Sequence, residues 1–373
     1  KIVVSTDNFP PRWDGIGRFL SEVLPLLNET VSIIAPDFGT YSLEHIACTK
    51  IDISKYTVGD YKIPKVQIKR IREAIADADI LFNQTIGPIG ATAMMVASRK
   101  NIPIVSYVHS VEWNLISNAT NIHLGKSVLR GITKSYSRYL YSKAETILVP
   151  SKQTEEELYW NKIRKKTQII HLGTDPERFR PPKANEQVWL EKKRKELGLE
   201  GKIIVGFHGR LAKEKDILTT LRGVSRAKGK FHLLVIGNGV PAIRGRLERE
   251  EFCTTLSEKE NIEKYIRLFD IYVSSSLTET TSLSTVEAMT TGIPVICTPA
   301  GYIPDYVEHG KNGYIFPFKD SYTLSKLLEK LKDSETRKRI GENARKKAKE
   351  VFSWSKTAKR IEQVLTQTTQ DYK

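Results

Sequence analysis

Ser274–Gly292 reads SSSLTETTSLSTVEAMTTG. The run entering it, Ile271–Ser275, has the near-continuous hydrophobicity of a parallel strand buried on both faces. A Ser/Thr-rich loop follows, and helical periodicity begins near Ser284. Strand, polar loop and helix in that order make one step of a β/α array, and open sheets of that kind bind ligands at the carboxyl ends of their strands. Ser282, Leu283 and Ser284 fall at the helix N-terminus, where free N–H groups and the helix dipole form a phosphate seat. Glu279 in the loop and Glu287 in the helix are placed to accept hydrogen bonds from sugar hydroxyls. Taken alone, the two also fit a loop glutamate and a first-turn helix glutamate with no ligand.

The same alternation extends in both directions. Lys1–Thr6, Val31–Ala35, Ile80–Asn83, Ile104–His109 and Thr146–Pro150 read as strands, with Ile16–Leu27, Gln67–Ala76 and Glu155–Asn161 helical. Later, Lys202–Gly206, His232–Gly237, Ile271–Ser275, Pro294–Thr298 and Gly313–Phe316 read as strands, with Asp216–Arg226, Thr285–Thr291 and Ser321–Leu331 helical. Two successive arrays predict an α/β protein of two Rossmann-like, doubly wound domains facing across a cleft. Pro176, Pro181 and Pro182 mark the join. The expected first domain is 1–178, joined by a last helix over 355–373, and the second is 179–354.

Three further stretches lie at strand ends. Phe207–Asp216, FHGRLAKEKD, places Arg210 and Lys215 on the turn after a strand. Two cations there can clamp a diphosphate, Arg as a fork and Lys as a point charge, or can pair with Glu214 and Asp216. Asp14-Gly15-Ile16-Gly17-Arg18 follows the first strand. It lacks the third glycine of a dinucleotide fingerprint, so it fits either close backbone approach to a ligand or a plain helix entry. His109 ends a strand. Asp77-Ala78-Asp79 precedes one, on the side away from chemistry, so no metal site is read from it.

Charge narrows the partner classes. The 373 residues carry a net charge of +16, with 59 Lys+Arg against 43 Asp+Glu. The second half holds the larger share. Such a surplus suits nucleic acid, an anionic membrane surface or a phosphorylated substrate, yet neither zinc-finger spacing nor an RNA-binding aromatic signature is present. Lys126, Arg130, Lys134 and Arg138 form one helical stripe, with Leu129, Ile132, Tyr136, Tyr139 and Leu140 on the opposite face. That shape can lie on an anionic membrane; it also fits a core-packed helix with a solvated basic side. Arg337–Lys349 reads as an exposed helix face. Three widely spaced cysteines, Cys48, Cys253 and Cys297, form neither a disulfide framework nor a metal-ligand pattern, which suits a reducing compartment.

Taken together, these stretches resemble the retaining glycosyltransferases of family 4, which have the GT-B fold. Gly209-Arg210-Leu211 with Lys213–Lys215 is similar to that family's "GRL-x-KEKG" turn, and Leu234–Gly239 to "LVIVGDG". Asp270–Ser276 with Glu279–Gly292 resembles "DVFVLPS…E-x7-E-A-M-A-x-G", Gly301–Asn312 resembles "GGIPEIVEDGENG", and Phe352–Ile361 the final "FSWE" helix. Looser likeness in the first half comes from Gly15–Arg18, His109, Ala144–Ser151 and His171–Asp175 with Phe179. The resemblance implies that Arg210 and Lys215 bind the donor diphosphate, that Glu279 contacts the donor sugar, and that Glu287 binds the ribose hydroxyls. It implies that backbone at Ser282–Ser284 holds the distal phosphate, that Gly17 lets its loop close over it, and that His109 lies beside the transferred sugar. No metal and no cofactor beyond the nucleotide-sugar donor is implied. The family's Gly-Phe-Gly after the first glutamate is Thr280-Thr281-Ser282 here, which resembles members that glucosylate diacylglycerol lipids. The stretch between Gly239 and Phe252 is short, and Gly301-Tyr302 replaces a Gly-Gly.

The expected function is transfer of a hexose from a nucleotide-diphospho-sugar to a hydroxyl acceptor. A membrane lipid or lipid-linked glycan fits, reached by a cytoplasmic enzyme at the inner face of the cell membrane. A soluble acceptor such as an inositol phosphate or sugar phosphate fits as well. A non-catalytic basic binding protein and a sugar-nucleotide epimerase are the readings of other classes.

Overall fold

The computed structural model describes residues 1–12, 14–58, 61–109, 111, 113, 126–257 and 259–372. Its contacts divide the chain into two compact units: Lys1–Gly173 with Trp354–Lys373, and Thr174–Ser353. The division falls slightly before the 178/179 join expected from the prolines. Phe179 is fully buried in the core of the second unit, whereas Thr357 Oγ1 donates to His171 O at 2.8 Å within the first.

The first unit holds strands β1 (Ile2–Ser5), β2 (Val31–Pro36), β3 (Ala47–Ile51), β4 (Ile53–Val58), β5 (Tyr61–Pro64), β6 (Ile80–Asn83), β7 (Ile104–Tyr107), β8 (Thr146–Val149) and β9 (Lys166–Ile169). Its helices are α1 (Gly15–Val23), α2 (Ile68–Ala74), α3 (Pro88–Arg99), α4 (Lys126–Tyr141) and α5 (Lys152–Trp160). The seven-stranded sheet runs β3-β2-β1-β6-β7-β8-β9, all parallel, with β4-β5 a separate hairpin. Strand order reverses between β1 and β6. β1, β6, β7 and β8 are buried at every position, as a sheet covered on both faces requires.

The second unit holds β10 (Ile203–His208), β11 (Phe231–Ile236), β12 (Cys253–Leu256), β13 (Ile271–Ser274), β14 (Val295–Cys297) and β15 (Tyr314–Ile315). Its helices are α6 (Gln187–Glu196), α7 (Ile217–Arg226), α8 (Pro241–Leu247), α9 (Ile262–Ile266), α10 (Leu283–Thr291), α11 (Ile303–Tyr306), α12 (Ser321–Lys330) and α13 (Ser334–Val351). The parallel sheet runs β12-β11-β10-β13-β14-β15, reversing between β10 and β13. One face packs on Phe179, Phe269, Tyr272 and Phe352, the other on Phe207, Phe231, Phe316 and Leu324. The last helix, α14 (Trp354–Tyr372), belongs to the first unit, where it buries Trp354, Ile361 and Leu365.

Several elements are not legible in the hydropathy pattern. β3, β9 and β12 are edge strands of mixed polarity and partial burial. Helix α3, PIGATAMMVASR, is buried almost all round, so it shows no polar face and hence no helical period.

Candidate active site

The second unit's strand reversal places the loops after β10 and β13 side by side. Ser275 Oγ donates to Asp216 O at 2.8 Å, and Leu277 N donates to Glu214 O at 2.7 Å. These bonds carry Lys215 to Glu279: Nζ lies 2.7 Å from Oε1, which also accepts from Ser276 Oγ at 2.7 Å. The Glu279 side chain is 9% exposed and that of Lys215 is 23%, so the pair is screened from bulk water and its geometry is fixed. Arg210 takes another partner. Its guanidinium is largely exposed and pairs with Glu214 Oε1 at 2.5 Å, one of the two arrangements its sequence allowed.

Beyond Glu279 the chain turns sharply. Ser282 has φ +59°, a left-handed conformation where the family pattern has glycine. Helix α10 starts there with no side-chain cap on its N-terminus. Ser284 Oγ accepts from Tyr272 Oη at 2.9 Å, and Tyr306 Oη donates to Thr281 O at 2.7 Å. One turn into the helix, Glu287 is 7% exposed. His208, the last residue of β10, puts Nε2 3.2 Å from Ser284 O and 3.5 Å from Glu287 Oε2. Lys215, Glu279, Ser282, Leu283, Ser284 and Glu287 therefore share one end of one sheet. An uncapped helix N-terminus and a cation suit a phosphate; two carboxylates suit hydroxyl groups.

The first unit treats the same position differently. At its own strand reversal, Asp7 follows β1 and its carboxylate accepts from Ile89 N at 2.7 Å and Gly90 N at 3.1 Å, with Thr85 Oγ1 at 2.5 Å. Burial pushes this carboxyl's pKa up while those hydrogen bonds oppose the shift. The seat at the head of α3 is thus filled by the protein's own carboxylate. Helix α1 is capped similarly, for Ile16 N and Gly17 N both donate to Asp14 Oδ1, at 2.9 and 2.8 Å. Gly17 sits in a tight spot, where a Cβ would lie 3.1 Å from Arg12 O and 3.3 Å from Pro10 Cδ.

His109 lies just beyond β7. Its ring packs on Tyr107, with centroids 4.5 Å apart, and on Phe19 at 4.8 Å. Nε2 is 2.9 Å from Gln84 Oε1. Burial lowers the imidazole pKa to about 3, so it is neutral at physiological pH.

Helix α4 carries the basic stripe. The Lys126 side chain lies outside the described residues; Arg130 is exposed, and Lys134 and Arg138 are half-buried. Arg138 Nε donates to Asn161 O at 2.8 Å. The buried edge of the helix is Thr133, Ser137, Leu140 and Tyr141. Of the apolar face expected to pack, Leu129 is half-buried and Leu140 buried, while Ile132, Tyr136 and Tyr139 are 62%, 43% and 55% exposed, with Val128 at 67%. Thr133, Ser137 and Tyr141 make the inward contact together with Leu140, and most of the apolar stripe stays outside. In α13, by contrast, Arg345 Nη1 turns inward to Phe179 O at 3.2 Å. Among the described residues, no helix is long and apolar enough to cross a membrane, and no group of three His, Cys, Asp or Glu is placed to hold a metal ion.

Sequence reasoning missed Asp7, Gln84, His208 and Ser276. Each follows or ends a strand at its carboxyl end, the position from which His109, Arg210 and Glu279 were read, so the topological signal was present for all.

A doubly wound sheet with an uncapped helix, a lysine and two glutamates at its reversal point has the chemistry that suits a phosphorylated ligand rich in hydroxyls. The chain belongs to the group 1/family 4 glycosyltransferases, which transfer a sugar from a nucleotide sugar with retention of configuration. Residues 190–347 match the family of "Glycosyl transferases group 1", and residues 13–178 match "Glycosyltransferase Family 4". Among curated relatives, Bacillus subtilis spore coat protein SA is 31% identical over 53% of this chain and 58% of its own length. The chain thus spans under two thirds of that relative. A GDP-mannose-dependent alpha-mannosyltransferase of Mycobacterium tuberculosis is 26% identical, over 85% of this chain and 84% of its own. The alpha-monoglucosyldiacylglycerol synthase of Acholeplasma laidlawii is 24% identical, over 91% and 95%. Among solved structures, Anabaena Alr3699/HepE in complex with UDP and glucose superposes with a TM-score of 0.78 at 17% identity, covering 98% of this chain and 99% of that one. That likeness establishes the GT-B fold.

Proposed function

We propose that this chain moves a hexose from a nucleotide-diphospho-sugar to a hydroxyl of a membrane lipid or lipid-linked glycan. The observation that carries the transfer is the Lys215–Glu279 pair beside the uncapped head of α10. An incoming diphosphate is the stronger partner for Lys215, and on exchanging partners Glu279 accepts from a donor-sugar hydroxyl. N–H groups at Ser282–Ser284 take the distal phosphate, Glu287 the ribose hydroxyls, and Arg210 leaves Glu214 for the diphosphate. In the chemical step the bond from the anomeric carbon to the phosphate oxygen breaks. The acceptor oxygen bonds to that carbon on the same face, and its proton passes to the departing phosphate oxygen. Lysine and helix N–H groups aimed at the developing phosphate charge supply electrostatic stabilisation, each on the order of 2–4 kcal/mol.

The lipid acceptor is supported by the diacylglycerol-glycolipid synthase among the relatives and by α4. Val128, Ile132, Tyr136 and Tyr139 form an exposed apolar face, with Arg130 and Lys134 on the other side of the helix. Exposed apolar and aromatic side chains along one face of a helix can enter the interface of a bilayer. Mass spectrometry after incubation of a panel of nucleotide sugars with a membrane-lipid extract, and in parallel with soluble inositol phosphates and sugar phosphates, tests the reading. A glycosylated lipid is expected; a glycosylated soluble acceptor would replace the lipid, and no product with any donor would overturn the transfer.

A further inference from the structure

His208 has no role in the chemistry above, yet the second unit's sheet builds it into the head of α10. It is the last residue of β10 and is 7% exposed. Tyr272 of β13, in register with Gly206, stands on the same face of the sheet, with its ring centroid 5.7 Å from the imidazole. Both side chains reach one residue of the first helical turn. Tyr272 Oη donates to Ser284 Oγ at 2.9 Å, and His208 Nε2 lies 3.2 Å from Ser284 O. A backbone carbonyl only accepts, so Nε2 carries the proton. The same N–H faces Glu287 Oε2 at 3.5 Å. The Glu287 side chain is 10% exposed, and a carboxylate so enclosed is costly to bury without donors. An unheld glutamate also loses rotamer freedom when a ligand fixes it. The imidazole N–H meets both demands before a ligand arrives.

We propose that His208 is a positioning residue that holds the Glu287 carboxylate ready to accept from the ribose hydroxyls of the nucleotide. The ribose's part rests on the functional reading of Glu287; the tie between the two side chains does not. Every group involved, from β10, β13 and α10, lies within the second unit.

Isothermal titration of the full chain with UDP, GDP and ADP, and with their 2′,3′-dideoxy forms, tests this. The native chain is expected to bind its preferred diphosphate at least tenfold more tightly than the dideoxy form, and Glu287→Ala to lose that preference. His208→Asn carries its amide where Nδ1 stood, too short to reach Ser284 O and Glu287. It is expected to weaken the ribonucleotide about tenfold, the worth of one well-placed hydrogen bond, and to leave the dideoxy form bound as in the native chain. His208→Phe, with no donor, should do the same. His208→Gln brings an amide N–H to the place of Nε2 and is expected to restore the preference. A merely structural role would weaken both ligands alike. Native preference in His208→Asn and His208→Phe, equal loss for both ligands, or no rescue by His208→Gln would overturn the proposal and leave the Glu287 reading standing. No binding or no preference in the native chain, or a preference that survives Glu287→Ala, would overturn that reading and the proposal with it.

Discussion

Replacing Gly301 with alanine should disable the site from a residue that touches no substrate. Gly301 has φ +56°, and a Cβ there would lie 2.0 Å from Glu279 O, 2.6 Å from Glu279 C and 2.8 Å from Thr280 O. All three are backbone atoms, so no side chain can swing aside. Steric exclusion keeps a Cβ about 3 Å from such an oxygen, so the Glu279 segment must move by about 1 Å. The Lys215–Glu279 contact is 2.7 Å; a shift of that size takes it out of hydrogen-bond range. Misplacement by about 1 Å costs on the order of 10²-fold in rate, near 2.7 kcal/mol. A left-handed alanine adds about 1–2 kcal/mol of destabilisation. Gly310→Ala is the control: Gly310 has φ +79° with nothing within 4 Å of its Cβ position, so it should lose similar stability without the clash. The assay is kcat for sugar transfer beside thermal unfolding of both variants. Gly301→Ala is expected to be folded and about 10²-fold slower, and Gly310→Ala folded and of native rate. Native turnover in Gly301→Ala would refute the link between this packing and Glu279.

Three other outcomes are expected. Lys215→Ala and Glu279→Ala should each lower turnover by about 10²-fold if each removes about 2.7 kcal/mol of transition-state stabilisation; steady-state rates for the two variants check this. His109 should make stability fall on acidification. Its folded pKa of about 3 lies below the unfolded value of about 6.5. The unfolded chain therefore binds the extra proton between those values, and stability is lost as pH drops through that window, by up to about 1.4 kcal/mol per pH unit. The stability difference between native and His109→Gln protein should change with pH across that window and be constant above pH 7. Finally, Ile132→Glu with Tyr139→Glu should abolish co-sedimentation with anionic liposomes while leaving thermal stability native, because both side chains are exposed. Equal sedimentation of native and variant protein would remove α4 from the account.

Legibility followed the physics of each part. Strands buried on both faces, such as β10, β11 and β13, announce themselves as apolar runs, and their alternation with helices is enough to read two doubly wound sheets. Edge strands and the enclosed helix α3 lack that signal, because partial or complete burial removes the periodic contrast. The Glu279 and Lys215 stretches could be read because they follow legible strands. Their meeting could not, since it depends on Ser275 and Leu277 bonding to the loop after β10, contacts made across 59 to 63 residues of sequence. Arg210 shows the converse: its side chain had two chemically reasonable partners, and only coordinates place it on Glu214. Asp7 was unreadable for a further reason. A carboxylate that fills an anion seat looks in sequence like any aspartate after a strand. Yet it distinguishes the two units, one with its seat occupied from within and one with its helix head uncapped.

That difference is the centre of the account, and isothermal titration with UDP, GDP and ADP tests it most directly. One nucleoside diphosphate should bind per chain, at least tenfold more weakly in Lys215→Ala and in Glu287→Ala, and with native affinity in His109→Gln. No binding of any of the three, or binding that both second-unit variants leave intact, would contradict it.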